Sequence, residues 1–157
     1  MTSDTARSTP GSVSSSGVGP GGPPRPPLIL ASTSPRRKAL LAEWGFDFEV
    51  EAADIDERAL PGERPEAHAI RLALAKARTV AARRDAGLVI GADTIVVDDG
   101  DELGKPADAD EARSMLQRLR GGRHLVITAV AVVDASSGAS AAAAETTGVW
   151  MRDFTDP

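Results

Sequence analysis

The stretch from Gly87 to Val97 constrains this chain more than any other. It is apolar and rich in β-branched residues, it runs straight into Asp98-Asp99-Gly100, and it carries a single carboxylate, Asp93, in its middle. Such a run reads as a buried strand, and an Asp-Gly turn returns the chain as a hairpin, here through Glu102-Leu103. A domain built around this strand must accommodate Asp93, because a carboxylate buried without a partner is costly. The rest of the sequence is therefore expected to supply a cation, a metal or a proton, and a functional role for Asp93 is favoured over a structural ion pair.

The flanking sequence alternates helix and strand signals. Leu28-Ile29-Leu30-Ala31 reads as a short buried strand, and Ser34-Pro35 as a cap with proline in the first turn of a helix that runs to about Gly45. Leu40, Leu41 and Trp44 would form its apolar face. Arg36 and Arg37 fall in its first turn, where the helix dipole disfavours cations, so an anion is expected there. Asp47–Glu51 alternates like a half-buried strand, and Asp54-Ile55-Asp56-Glu57 follows as a loop. A second helix is expected over Pro65–Arg84, with Ile70, Ala73, Leu74, Ala77 and Val80 buried, Lys76 at the border and His68 at the surface. A third begins at Asp108, with Glu111 three residues later as a carboxylate capping box, buries Ala112, Met115, Leu116 and Leu119, and ends at Gly121-Gly122. Strands then follow over His124–Asp134, with His124 a hydrogen-bonded structural group, and over Glu145–Phe154, joined by a turn at Ser136-Ser137-Gly138. Single strands and hairpins among helices define an α/β domain with a mixed sheet flanked by helices.

Composition removes several function classes. The chain has 157 residues and a net charge of −5, which opposes a nucleic-acid polymer as partner, and three Phe with two Trp and no Tyr leave few base-stacking platforms. With no Cys and two isolated His, thiolate chemistry and an ordinary zinc site are excluded, so any metal would be hard and oxygen-bound. No apolar stretch is long enough to cross a bilayer. Residues 1–27, rich in Ser, Gly and Pro, read as a disordered arm without the pattern of a secretory signal, and residues 28–157 as one domain, expected in the cytoplasm.

Four polar clusters stand at the ends of apolar elements: Ser32 to Arg37, Asp56-Glu57, Gly91-Ala92-Asp93-Thr94 and Gly104-Lys105-Pro106. Strand ends are where α/β folds place ligands. Singly, each has a structural explanation: Ser34 as a cap, the arginines as solvated charges, Lys76 as an interface lysine, Glu57 as a loop acid. Together, Arg36, Arg37, Lys76 and Lys105 could neutralise a polyphosphate, while Asp93 and Glu57 could hold a divalent ion, a combination suited to phosphoryl or nucleotidyl hydrolysis. Neither a Walker lysine motif nor a Gly-rich dinucleotide loop is present.

The run Leu30-Ala31-Ser32-Thr33-Ser34-Pro35-Arg36-Arg37-Lys38-Ala39-Leu40-Leu41 resembles the opening signature of Maf proteins. Gly91-Ala92-Asp93-Thr94, Gly104-Lys105-Pro106 and the Gly-x-His-x-Val-x-Thr pattern from Gly122 to Thr128 follow in that family's order. The resemblance implies an elongated mixed sheet around a central cleft, akin to inosine triphosphatases, and a metal-dependent nucleoside triphosphate pyrophosphatase using Mg2+ or Mn2+. By the same resemblance Asp93 is the catalytic acid that takes a proton from the attacking water and, with Glu57, a metal ligand. Ser32, Arg37, Lys76 and Lys105 match residues that line the cleft. Arg36 and Thr94 match positions that separate subfamilies, and as they stand resemble the branch hydrolysing dTTP and UTP. A homodimer is also implied.

Family members continue past the strand matching Val149–Phe154 into a helix and a Lys-Ala-Gly-Ala-Tyr-Gly-Ile-Gln-Gly segment, which is not found here. The expectation is thus a C-terminally shortened domain whose closing strands are missing. Two alternatives accompany the main reading: a non-catalytic nucleotide-binding module linked to cell division and septum formation, and a 7-methyl-GTP pyrophosphatase.

Overall fold

The computed structural model describes residues 25–155. Of the expected arm, residues 1–24 lie outside the described residues, while Arg25–Pro27 carry no helix or strand. The elements follow in the order β1 (Leu28–Leu30), α1 (Pro35–Glu43), β2 (Glu49–Val50), α2 (Pro65–Ala81), β3 (Leu88–Asp98), β4 (Asp101–Leu103), α3 (Ala109–Leu119), β5 (Arg123–Asp134) and β6 (Ser140–Trp150). They form an open mixed sheet in the order β2-β1-β3-β5-β6, with β4 also on β3. The β2–β1 and β1–β3 pairs are parallel and the remaining pairs antiparallel, the mixed α/β architecture expected from the sequence.

The long apolar run forms the central strand, as its composition dictates. The hairpin that ends it places both Asp99 (φ 49°) and Gly100 (φ 88°) in the left-handed region, the geometry that Asp-Gly favours in a tight turn. One face of the sheet is covered by α2. Ile29, Ala31, Val89 and Val133 pack with Ala77, Val80 and Ala81, and Ile95, Val97, Ile127, Ala129 and Ala131 pack with Ala69 and Ala73. The alanines bring the helix close to the strands, and Gly91 allows the tightest approach: a Cβ there would collide with the carbonyl oxygen of Ala73 and stand 2.8 Å from the Ala77 nitrogen.

Several local expectations are corrected. The buried stripe of α2 is His68, Ala69, Leu72, Ala73, Lys76, Ala77 and Val80, rotated from the expected one, so His68 is interior and Ile70 and Leu74 are half-buried. In α1 only Leu41 is buried, while Leu40 and Trp44 are 45% and 65% exposed, because this short helix turns a single residue inward. Likewise α3 buries only Leu119. Ser34 is the residue before α1, but its side chain makes no capping bond. Asp108 caps α3 as expected, accepting from the Asp110 and Glu111 amides, although the Glu111 carboxylate reaches the amide of Ala107 rather than that of the cap itself. The last strand starts at Ser140, since the Ala141–Ala144 run continues the β5 ladder, and it ends at Trp150. His124 is buried, but its Nδ1 has no hydrogen-bond partner, against the expectation of a bonded ring. No helix among the described residues is long and apolar enough to cross a membrane.

Candidate active site

The pairing of β3 builds the site. One edge of this strand is occupied by β5 without interruption from Leu88 to Val97. On the other edge β1 pairs with Leu88–Ile90 and β4 with Val96–Asp98, so among the described residues no strand covers 91–95 on that side. The uncovered segment is Gly91-Ala92-Asp93-Thr94-Ile95. Ile90 directs its carbonyl to the Ala31 amide on this edge, and in a strand Ala92 and Thr94 present their backbone groups to the same side. A cleft of about 750 Å3 opens at this gap.

The flanking strands deliver chemistry as they leave the gap. Ser32, Ser34, Arg36 and Arg37 follow β1, Lys105 follows β4, Glu57 comes from the irregular segment between β2 and α2, and Lys76 comes from α2. All of these line the cleft with Asp93 and Thr94, as does Thr128 of β5, which pairs in register with Thr94. The eight residues assigned a role from the sequence, Ser32, Arg36, Arg37, Glu57, Lys76, Asp93, Thr94 and Lys105, thus line one cleft. Thr128 belongs to the Gly-x-His-x-Val-x-Thr pattern, but its contact with the site depends on the β3–β5 register and was not foreseen.

Asp93 alternates with Gly91 and Ile95 on the face turned toward α2, and there it finds its counter-ion. The Lys76 ammonium lies 2.6 Å from Asp93 Oδ1 and 2.7 Å from Glu57 Oε1, with its own side chain 10% and that of Asp93 13% exposed. Lys105 Nζ holds the other Glu57 oxygen at 2.6 Å. Glu57 thus accepts from two ammonium groups, Lys105 and then Lys76, which hold its carboxyl down at about 2. Lys76, expected to face phosphate, pairs here with both carboxylates while lining the cleft. The cost of burying Asp93 is met by an ion pair within the cleft, the structural alternative weighed for this residue from the sequence.

The opposite wall is a polar relay. Arg37 donates through Nη1 to Ser32 Oγ at 3.3 Å and through Nη2 to Thr94 Oγ1 at 3.4 Å, and Thr94 Oγ1 lies 3.2 Å from Thr128 Oγ1. Ser32 Oγ also accepts from the Ser34 amide at 3.2 Å, which ties the chain leaving β1 into the start of α1. That helix has no acidic residue in its first turn, where Arg36 and Arg37 stand, and no side-chain cap, so its N-terminus remains suited to an anion. Among the described residues no three or more His, Cys, Asp or Glu gather as a metal cage. Asp93 and Glu57 are joined through one ammonium, that of Lys76.

Comparison with known proteins identifies the family. The Maf-like protein family matches residues 27–157, and the chain belongs to that family. It is 46% identical over 129 residues to a dTTP/UTP pyrophosphatase of Geotalea uraniireducens, covering 82% of this chain and 66% of that relative. It is 54% identical over 107 residues to a dTTP/UTP pyrophosphatase of Anaeromyxobacter dehalogenans, covering 68% and 53%. A 7-methyl-GTP pyrophosphatase of Cupriavidus pinatubonensis is 44% identical over 133 residues, covering 85% and 67%. The chain therefore spans between about half and two thirds of the length of these curated relatives.

Proposed function

We propose that this domain hydrolyses a pyrimidine nucleoside triphosphate, dTTP or UTP, to the monophosphate and pyrophosphate. The observation that carries the reading is the interrupted edge of β3, which sets Asp93 in a cleft with Arg36, Arg37, Lys76 and Lys105. A triphosphate chain brings several negative charges, and these side chains with the uncapped start of α1 supply the complementary ones. The relatives named dTTP/UTP pyrophosphatase support the same substrate class.

In this mechanism Asp93, paired with Lys76, accepts the proton of a water that attacks the α-phosphorus, and the bond to the β-phosphate oxygen breaks in line. Arg37 and Lys105 stabilise the charge that grows on departing pyrophosphate. Ser32 and Thr94 hold the Arg37 guanidinium in position. Asp93 and Glu57 are the residues that would hold a magnesium or manganese ion, since hard carboxylate oxygens suit either. When bound, the ion supplies further neutralisation of phosphate charge.

Arg36 and Thr94 are proposed to select the base. The 44% identity to a 7-methyl-GTP pyrophosphatase makes that nucleotide the competing substrate. The test is pyrophosphate release with magnesium or manganese across dTTP, UTP, CTP and 7-methyl-GTP. Release from dTTP and UTP that vanishes in Asp93→Asn is expected, whereas preference for 7-methyl-GTP would overturn the pyrimidine assignment. A folded chain that binds these nucleotides and releases no pyrophosphate would be a non-catalytic binder. Replacing Arg36 or Thr94 is expected to change the dTTP to 7-methyl-GTP ratio by more than it changes the faster of the two rates; equal losses on all nucleotides would exclude a role in selection.

A further inference from the structure

The catalytic reading leaves two buried titratable side chains without a task, His68 and His124, and of these His68 touches the segment that carries Glu57. His68, in the second turn of α2, is 5% exposed and makes two contacts of good length. Its Nδ1 lies 2.8 Å from Glu102 Oε2 on β4, and its Nε2 lies 3.1 Å from the backbone oxygen of Glu57. Both partners present oxygen atoms to the ring, one from a carboxylate and one from a backbone carbonyl. The imidazole thereby joins three segments: α2, the strand that precedes Lys105, and the irregular segment that carries Glu57.

That irregular segment needs anchors. Residues 51–60 have no helix or strand, and the Glu57 side chain is itself 39% exposed, so packing alone does not fix it. The helix holds two successive carbonyls of the segment: His68 Nε2 faces that of Glu57, and Arg71 Nη2 donates to that of Arg58 at 3.0 Å. Of these two, His68 acts at the residue whose carboxylate joins Lys76 to Lys105, and through Glu102 it also holds β4, from whose end Lys105 departs. Both members of the 2.6 Å Glu57–Lys105 pair therefore leave from backbone that His68 secures.

We infer that His68 is a positioning residue for the proposed hydrolysis, clamping the Glu57 backbone against β4 so that the Glu57 carboxylate stays between Lys76 and Lys105. The inference rests on the reading of the cleft as a pyrophosphatase site. A group that acts through a neighbour in this way contributes by keeping the reactive set in register, and loss of comparable outer partners lowers activity by roughly 10- to 100-fold.

The test uses the whole chain with His68→Phe, which fills the ring volume without either ring nitrogen, and His68→Gln, whose amide can still donate toward the Glu57 oxygen. Three readouts are taken: kcat and KM for dTTP, the unfolding midpoint, and amide hydrogen exchange over residues 54–60. The expected result is a folded His68→Phe protein with kcat lower by roughly tenfold or more, a smaller change in KM and faster exchange in that segment, with His68→Gln recovering most of both. A folded His68→Phe protein with unchanged kcat and exchange overturns the inference. So do equal losses in the two variants that merely follow their unfolding midpoints. If the unmodified chain releases no pyrophosphate, the proposed function fails, and the exchange comparison alone decides whether His68 anchors the segment. Should His68→Phe fail to fold, Glu102→Gln, which leaves the ring in place and weakens its tie to β4, is expected to give a smaller change in the same direction; no change in kcat or exchange in that variant would overturn the inference.

Discussion

Lys76 serves Asp93 and Glu57 at once, and this dual engagement determines what single substitutions do. Removing the ammonium in Lys76→Met leaves Asp93 with a side chain 13% exposed and no counter-ion. Breaking a pair so little exposed costs roughly 3 kcal/mol, and urea unfolding should reveal a loss of that order. Asp93→Asn keeps Lys76 paired with Glu57, so its stability should change less while pyrophosphate release falls by roughly 10^2 to 10^4. A Lys76→Met protein as stable as the parent would show that the pair does not offset the burial of Asp93. These roles were only partly legible in the sequence. Asp93 announced itself as a charge in an apolar run, and the polar clusters at strand ends marked the other groups. Which cation would meet which carboxylate depends on the distance between α2 and the open edge of β3, and a linear pattern does not contain that distance.

At the scale of elements, α2 and β3 fit through alanines on the helix and Gly91 on the strand. Gly91→Ala would push a methyl group into the backbone of α2 at Ala73 and Ala77, where no flexible side chain can yield. Overpacking of this kind costs roughly 1–3 kcal/mol. The thermal midpoint should fall, and because the helix also carries Lys76 and His68, hydrolysis should fall by more than the folded fraction does. A fully active, equally stable variant would mean that helix and strand are not held at this separation. The helix itself was foreseen within a few residues, but its inward face was misjudged. Ile70 and Leu74 were assigned to the core on hydrophobicity, whereas His68, Leu72 and Lys76 recur every four residues on the face that meets the sheet. The i+4 spacing of His68 to Leu72 was the available sign that this histidine is interior. Trp44 and Leu116 were misassigned for a related reason: amphipathic spacing locates an apolar face but not the neighbour that would cover it.

For the molecule as a whole, two carboxyl groups give stability a defined response to acid. Glu57 is held at about 2 by Lys105 and Lys76, and Glu63 at about 2 by Arg71, against an ordinary value of 4.5. Between these values the unfolded chain binds more protons than the native one, so stability rises with pH through that interval. The contribution is fully present above about 4.5 and disappears as the pH falls to about 2. Urea titrations of the parent and Glu57→Gln should therefore differ by a constant amount above pH 4.5 and converge as the pH is lowered toward 2. A difference that persisted unchanged to pH 2 would contradict the pairing of Glu57 with the two lysines. The Glu63–Arg71 pair secures the same segment to α2 as His68 does, so acid weakens the fold and the geometry of the cleft together.

The break in the β3 edge also bears on how the molecule meets other chains. A sheet edge commonly acts as a template on which a foreign strand can grow, but here it is divided between β1 and β4, with only a few residues exposed between them. An invading strand would have to dislodge one of those neighbours and crowd against Lys76, Arg37 and Lys105. A compact polyanion can enter the same opening without adopting strand geometry. Dividing the edge therefore leaves no continuous template for strand addition at this opening.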